Sequence, residues 1–366
     1  MSFYKYFKIK NTVTLFLLFS TITISGQTEQ ESIESLISRV VDYQIHQPMV
    51  PKREDRAFPN GWIPSTFYTA LMDVYKVTGT KKYFEFAHEW AASNNYKLGP
   101  RPLHADDHCA GQVYLMLYDF TNDSTNLKDV FDTFDKMMNE RSAGREIWDW
   151  CDALFMSPPV FAGLYKITNN AKYLKALNRY YWDAADYLFD REENLFYRDN
   201  RFFFKRSEIG NKIFWSRGNG WVFAGLVKII DALPDENKHK EDYIELFKTL
   251  AKRLVSLQRE DGVWSPNLLE PELYNMPETS GTGFFSYGLA WGINNGILDK
   301  SIYKVHAEKS WNALVKLVDD DGKLQYVQSV GHEPEHVSKA NNSAFGAAAL
   351  LMAASEFLKL ESTDEK

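Results

Sequence analysis

Apolar positions along this chain recur at intervals of three and four residues, the period of a helix with one buried face. The every-second-residue alternation of a half-buried strand is almost absent. Twelve helical segments are predicted, roughly thirty residues apart, at 30–46, 63–78, 80–94, 105–121, 126–140, 151–168, 170–188, 217–231, 238–258, 279–296, 300–316 and 343–360. Two echoes within the chain support a repeat. Tyr75-Lys76-Val77-Thr78-Gly79 leads to Lys82-Tyr83, as Tyr165-Lys166-Ile167-Thr168-Asn169 leads to Lys172-Tyr173. Each reads as a helix stopped by Gly or Asn, a short turn, then an antiparallel helix. Asp261-Gly262 and Asp321-Gly322 mark turns of a second recurrent kind.

The segments alternate in character. Odd ones such as 238–258 and 300–316 carry Lys and Glu on one face, as outer amphipathic helices do. Even ones such as 281–296 and 343–355 are rich in Gly, Ala and Ser, which suits close-packed inner helices. Repeated helical hairpins form an open solenoid or a closed ring. Polar and aromatic clusters fall at the start of the even segments, at Gly61-Trp62, His104 to His108, Trp148 to Asp152, Trp215 to Trp221, Glu278 to Thr282 and Asn341 to Ser343. In a ring whose alternate helices run parallel, all six clusters lie on one rim.

Composition narrows the picture. At 366 residues, 45% apolar and 25% charged, the chain is globular and long enough for one large domain or two ordinary ones. Aromatics reach 15%, and Trp and Tyr beside polar residues suit stacking on sugar rings. A net charge of −7 argues against nucleic acid, though a few Arg residues can still hold a small anion. Residues 1–26 join Lys5, Lys8 and Lys10 to a short apolar run ending at Ser25-Gly26-Gln27, the pattern of a signal peptide. That run is too short to span a bilayer, and no Cys at its end suggests a lipid anchor. The remainder, 27–366, is expected to be one soluble domain, secreted or periplasmic, with no membrane partner. Cys109 and Cys151 allow one disulfide in an oxidising compartment but give no disulfide framework and no zinc spacing, and two buried thiols are the favoured reading.

The chemistry starts from Trp148-Asp149-Trp150-Cys151-Asp152. A spacing of three sets Asp149 and Asp152 on neighbouring positions of a helical face. A carboxyl beside another and wrapped in aromatic surface resists ionisation, as a general acid near neutral pH requires. Helix capping is the plainer role for either acid. His332-Glu333-Pro334-Glu335-His336 matches H-E-x-x-H, but Pro334 breaks the continuous helix that zinc ligation needs.

In order, HADDHCAGQ, WDWCDALFMSPP, WSRGNGW and SGTGFFSYGLAWGINNGIL resemble the unsaturated uronyl hydrolases of glycoside hydrolase family 105, relatives of the unsaturated glucuronyl hydrolases. The resemblance covers essentially the whole mature chain. It implies an all-α (α/α)6 barrel, no cofactor or metal, and a partner that is an anionic, 4,5-unsaturated oligosaccharide made by a polysaccharide lyase. It implies that Asp152 protonates C4 of the vinyl ether while water adds at C5. The second acid is Asp107 or Asp106, with Asp107 favoured. Trp215 and Trp221 match sugar-stacking residues, Arg217 the residue that meets the uronate carboxylate, and Trp62, His104 and Asp149 are further candidate contacts. One departure stands out: 195–202 lacks the His that relatives carry, leaving Tyr197, Arg198 or Arg201 to replace it. The alternatives are an inverting glycosidase on the same barrel, with two separated carboxylates, and a non-catalytic sugar-binding toroid.

Overall fold

Each of the twelve segments predicted from the apolar period is helical in the computed structural model, which describes residues 32–47 and 58–364. In chain order the helices are α1 (Ile33–Ile45), α2 (Trp62–Thr78), α3 (Lys81–Ser93), α4 (Ala105–His108), α5 (Ala110–Thr121), α6 (Lys128–Met138), α7 (Gly144–Ile147) and α8 (Ala153–Met156). They continue with α9 (Pro158–Thr168), α10 (Ala171–Leu188), α11 (Ser216–Ala232), α12 (Lys240–Ser256), α13 (Thr279–Asn294), α14 (Lys300–Lys316) and α15 (Ala344–Asp364). Two predicted segments are broken. The 105–121 segment divides at Cys109, and the 151–168 segment divides at Ser157, where Pro158 opens a new helix without needing an N–H. The short α7 and a two-stranded hairpin, β1 (Phe189–Asp190) and β2 (Leu195–Phe196), were not foreseen. The expected signal segment, 1–26, lies outside the described residues.

α2, α5, α9, α11, α13 and α15 each touch the next, and α15 returns to α2, so the inner ring closes. α1 packs on α15, α3 on α2 and α5, α10 on α9, α12 on α11 and α13, and α14 on α13. α6 joins through Phe134, whose ring meets Phe161 of α9 at 4.5 Å. The architecture is an (α/α)6 barrel. Its inner helices approach closely because small residues let them: a Cβ on Gly225 of α11 would lie 2.4 Å from the Leu154 carbonyl oxygen. The outer helices bury one stripe, as in α12, where Tyr243, Phe247, Leu250, Ala251 and Leu254 face inward.

Both echoes have a structural cause. Gly79, Asn122 and Asn169 end α2, α5 and α9 with φ of +66°, +54° and +50°, each donating its N–H to the carbonyl four residues back. Gly262 and Gly322 share φ of +93°. A Cβ there would press on the Lys309 and Arg39 carbonyls, so each turn leans on the next outer helix, α14 and then α1. Among the described residues no helix is long and apolar enough to cross a membrane.

Candidate active site

The starts of the inner helices meet at one mouth. A cavity of about 110 Å³ is lined there by Trp62 at the start of α2, Asp106 in α4, Asp152 before α8, and Trp215, Arg217 and Trp221 at the start of α11. Trp150, Met156, Arg198, Val330 and Gly331 complete the lining. The two remaining clusters hold one wall from behind. Glu278 accepts from the Gln328 N–H at 3.1 Å, and Asn341 donates to the Ser329 hydroxyl at 3.3 Å.

Local pairing decides where the acids point. Trp150 bridges to Asp199, and the Cys151 N–H donates to the Arg198 carbonyl at 2.8 Å. The chain at 149–151 is therefore pinned to 198–199 and is not helical. That corrects the expected face shared by Asp149 and Asp152. Asp149 is exposed and outside the cavity, whereas Asp152 is buried in it. Trp148 is core, packed on Tyr180 and Phe161. Burial raises the Asp152 pKa, and Arg198 and Arg217 pull against it.

Asp106 and Asp107 part company on α4. The Asp107 side chain is 1% exposed and grips Arg101, accepting from Nη2 at 2.6 Å, from Nε at 3.0 Å and from the backbone N–H at 2.7 Å. It fastens the loop before α4, and the preference for Asp107 as the cavity acid is corrected accordingly. Asp106 lines the cavity instead. Its pKa is pushed up to about 7, first by burial and then by the charge on Asp152, with Arg101 opposing.

The cationic side of the site is built differently from what the sequence suggested. Arg217 is 1% exposed and lies between Trp215 and Phe345, with its guanidinium carbon 4.3 and 4.8 Å from their ring centres. Its Nη1 and Nη2 donate to the Gln328 and Ser329 carbonyls at 2.6 and 2.7 Å, and burial pulls its pKa down to about 10. Arg198 lines the cavity with Nε 3.6 Å from Asp152 Oδ2. Arg201 does not: it is largely exposed and pairs with Asp199 through Nε and Nη2, both at 2.8 Å. Tyr197 donates to Asp190 at 2.7 Å. Of the three residues offered in place of the missing His, only Arg198 reaches the cavity.

Among the aromatics, Trp215 donates its Nε1–H to Gln328 Oε1 at 2.9 Å, so its ring is fixed. Trp221 is packed on Phe284 and Phe155 and forms the floor, with Trp62 edge-on to it at 6.0 Å. His104 sits beside the lining, its ring 4.9 Å from that of Trp150 and its Nδ1 3.8 Å from Asp106. Val330, Gly331 and the supporting Gln328 were missed because they follow Trp215 by over a hundred residues and carry no chemical signal. His332 to His336 lies in a loop with no helical turn, so the H-E-x-x-H geometry is absent.

Cys109 and Cys151 are unpaired and buried near the site. Burial pushes the Cys109 thiol up to about 12 and the Cys151 thiol well above its usual value. Neither is expected to react with an alkylating reagent at pH 8 in the native protein, while both label after unfolding; mass spectrometry reads the outcome.

Comparison with known proteins agrees with this architecture. The model for Glycosyl Hydrolase Family 88 matches residues 28–361. The unsaturated 3S-rhamnoglycuronyl hydrolase of Alteromonas sp. (strain LOR) is 38% identical, over 92% of this chain and 89% of its own length. A solved structure described as a polysaccharide lyase superposes with a TM-score of 0.83 at 32% identity, covering 90% of this chain and 98% of that one. A glycosyl hydrolase family 88 structure from Bacteroides vulgatus gives 0.82 at 35% identity, covering 90% and 99%. Matched along nearly its whole length, and sharing about a third of its residues and its barrel with these proteins, the chain belongs to Glycosyl Hydrolase Family 88.

Proposed function

We propose that this glycoside hydrolase hydrates the C4=C5 bond of a 4,5-unsaturated uronate at the non-reducing end of a lyase-generated oligosaccharide, of the rhamnoglycuronyl type that its Alteromonas relative is named for. The observation that carries the reading is the meeting of Asp152 and Asp106, both resisting ionisation, with two guanidiniums in one indole-walled cavity. Asp152 delivers a proton to C4, and water adds its oxygen to C5 and returns a proton to the carboxylate pair. The hemiketal formed at C5 opens and frees the adjoining sugar. Two carboxyl groups that resist ionisation, one of them pushed up to about 7, can give a proton near neutral pH and take one back.

The direct test is the ultraviolet band of the conjugated alkene in a lyase digest. Hydration bleaches it. An enzyme that instead generates the band from saturated polymer would be a lyase, the reading suggested by the description of one structural relative. An inverting glycosidase would release sugar from saturated substrates without touching the band.

A pH profile follows from the pair. Asp106 carries its proton below about 7 and loses it above. Loss of that proton takes an acid from the pair, so kcat/KM is expected to fall as pH rises through that value. Asp106→Asn, neutral at every pH, should move that limb to the pH at which Asp152 alone ionises, while lowering the rate. An unchanged limb in the variant would take Asp106 out of the proton relay.

We further propose that residues 1–26 direct export; the family match beginning at residue 28 is consistent with a leader that is not part of the barrel. N-terminal sequencing of protein recovered from outside the cytoplasm should start near Gln27.

A further inference from the structure

The site has two guanidiniums, and they are not equally available. Arg217 has both Nη groups engaged by main-chain carbonyls, lies between two rings and is almost wholly buried. It braces the 328–331 wall. Arg198 is hydrogen-bonded at one corner only, where Nη1 donates to Asp199 Oδ2 at 2.7 Å, while Nε faces Asp152 in a looser ion pair at 3.6 Å. Its other edge, made by Nε and Nη2, has no hydrogen-bond partner among the described residues, and Nε is a buried donor left unsatisfied. An orphaned buried donor is costly, and its presence beside a cavity marks a place where a ligand completes the bonding. The Nε–Nη2 edge of an arginine matches the two oxygens of a carboxylate.

We infer that Arg198, rather than Arg217, clasps the carboxylate of the uronate, and that Asp199 is the positioning residue that aims it. The inference rests on the proposed reaction for its substrate class. Arg198 Nε stands 3.6 Å from Asp152 Oδ2. The uronate carboxylate is attached to C5 and so lies two bonds from C4, the atom to be protonated. A carboxylate seated on Arg198 therefore sets C4 beside Asp152. Chain connectivity keeps that spacing rigid, since the Cys151 N–H bonds to the Arg198 carbonyl and the residue after Cys151 is the acid. Asp199, 5% exposed, takes Arg198 on one side and the Arg201 side chain and N–H on the other, so it cannot swing. Where relatives carry a His in this loop, the arginine supplies two parallel donors and a permanent charge.

The test measures binding without turnover. Glucuronate and glucuronamide are titrated into the enzyme by calorimetry, and the ratio of their dissociation constants reports the carboxylate contact. Wild type should prefer the acid by roughly 10- to 100-fold. Arg198→Gln should bring the ratio close to one. Arg198→Lys, which keeps the charge but not the two-donor edge, should retain only a small part of it. Asp199→Asn should reduce the ratio several-fold although the arginine is intact, which a merely structural role would not do. A wild-type ratio in Arg198→Gln or Arg198→Lys, or its loss in Arg217→Lys alone, would overturn the assignment. If Arg198→Gln fails to fold by circular dichroism, the Lys variant decides. The ratio needs no reaction, so failure of the bleaching assay removes the proposed chemistry without touching the clasp, and the reverse also holds.

Discussion

Replacing Asp152 by Asn should abolish alkene bleaching, with kcat lowered by roughly 10²- to 10⁴-fold, the usual range for loss of a positioned proton donor. Asparagine keeps the shape of the side chain and its place before α8, so the fold and substrate binding should survive. The cavity stays lined by the same indoles, and Arg198 remains to hold the anion while Arg217 still braces the wall. Binding measured with the unreacted substrate should be equal or tighter, because Asn removes a negative charge from the neighbourhood of the uronate. The change has a second signature. The charge on Asp152 helps raise the pKa of Asp106, so its removal should let Asp106 ionise below about 7, visible in a carbon-labelled carboxyl titration. Wild-type bleaching by Asp152→Asn would remove this residue from the chemistry. An unshifted Asp106 would show that the two acids do not sense each other.

Glu278→Ala is expected to give the largest loss of stability. Glu278 is fully buried at the start of α13. Its carboxylate accepts from the Gly281 N–H at 2.6 Å, the Ser280 hydroxyl at 2.6 Å, the Ser280 N–H at 3.2 Å and the Gln328 N–H at 3.1 Å. It is also the foremost negative neighbour of the buried Arg217. Alanine would strand these donors and leave the guanidinium with less compensation, at roughly 1–3 kcal/mol for each buried group left unsatisfied. For a domain of this size the thermal midpoint should fall by roughly 5 °C or more. Activity should drop with it, because Gln328 fixes the Trp215 ring and precedes Val330 and Gly331 in the cavity wall. A variant with an unchanged midpoint would show that Glu278 contributes only a helix cap.

The barrel was legible in the amino-acid sequence because its order is local. A 3.6-residue period buries one face of a helix wherever that helix goes, so α12 and α14 read as outer helices and α11 and α13 as inner ones. The turns were equally plain, since the left-handed backbone at Gly79, Asn169, Gly262 and Gly322 favours residues that tolerate it. Clustering of indoles and acids at alternate helix starts placed the mouth, because a closed ring of parallel inner helices leaves those starts nowhere else to be.

Which of two adjacent acids faces the cavity was not written there. Asp106 and Asp107 differ by a rotation of about 100° around α4, and only Arg101, reaching back from the preceding loop, captures one of them. Asp149 lost its place beside Asp152 because pairing with 198–199 straightens the chain just before α8. Likewise, one arginine became a brace and the other kept a free edge only when the 328–331 segment arrived to occupy Arg217. Local periodicity is dictated by neighbouring residues along the chain, so the sequence by itself determined the helices, their inner and outer faces and the rim that bears the chemistry. The direction of each side chain at that rim depends on partners brought from far along the chain, and that was decided only by the tertiary structure.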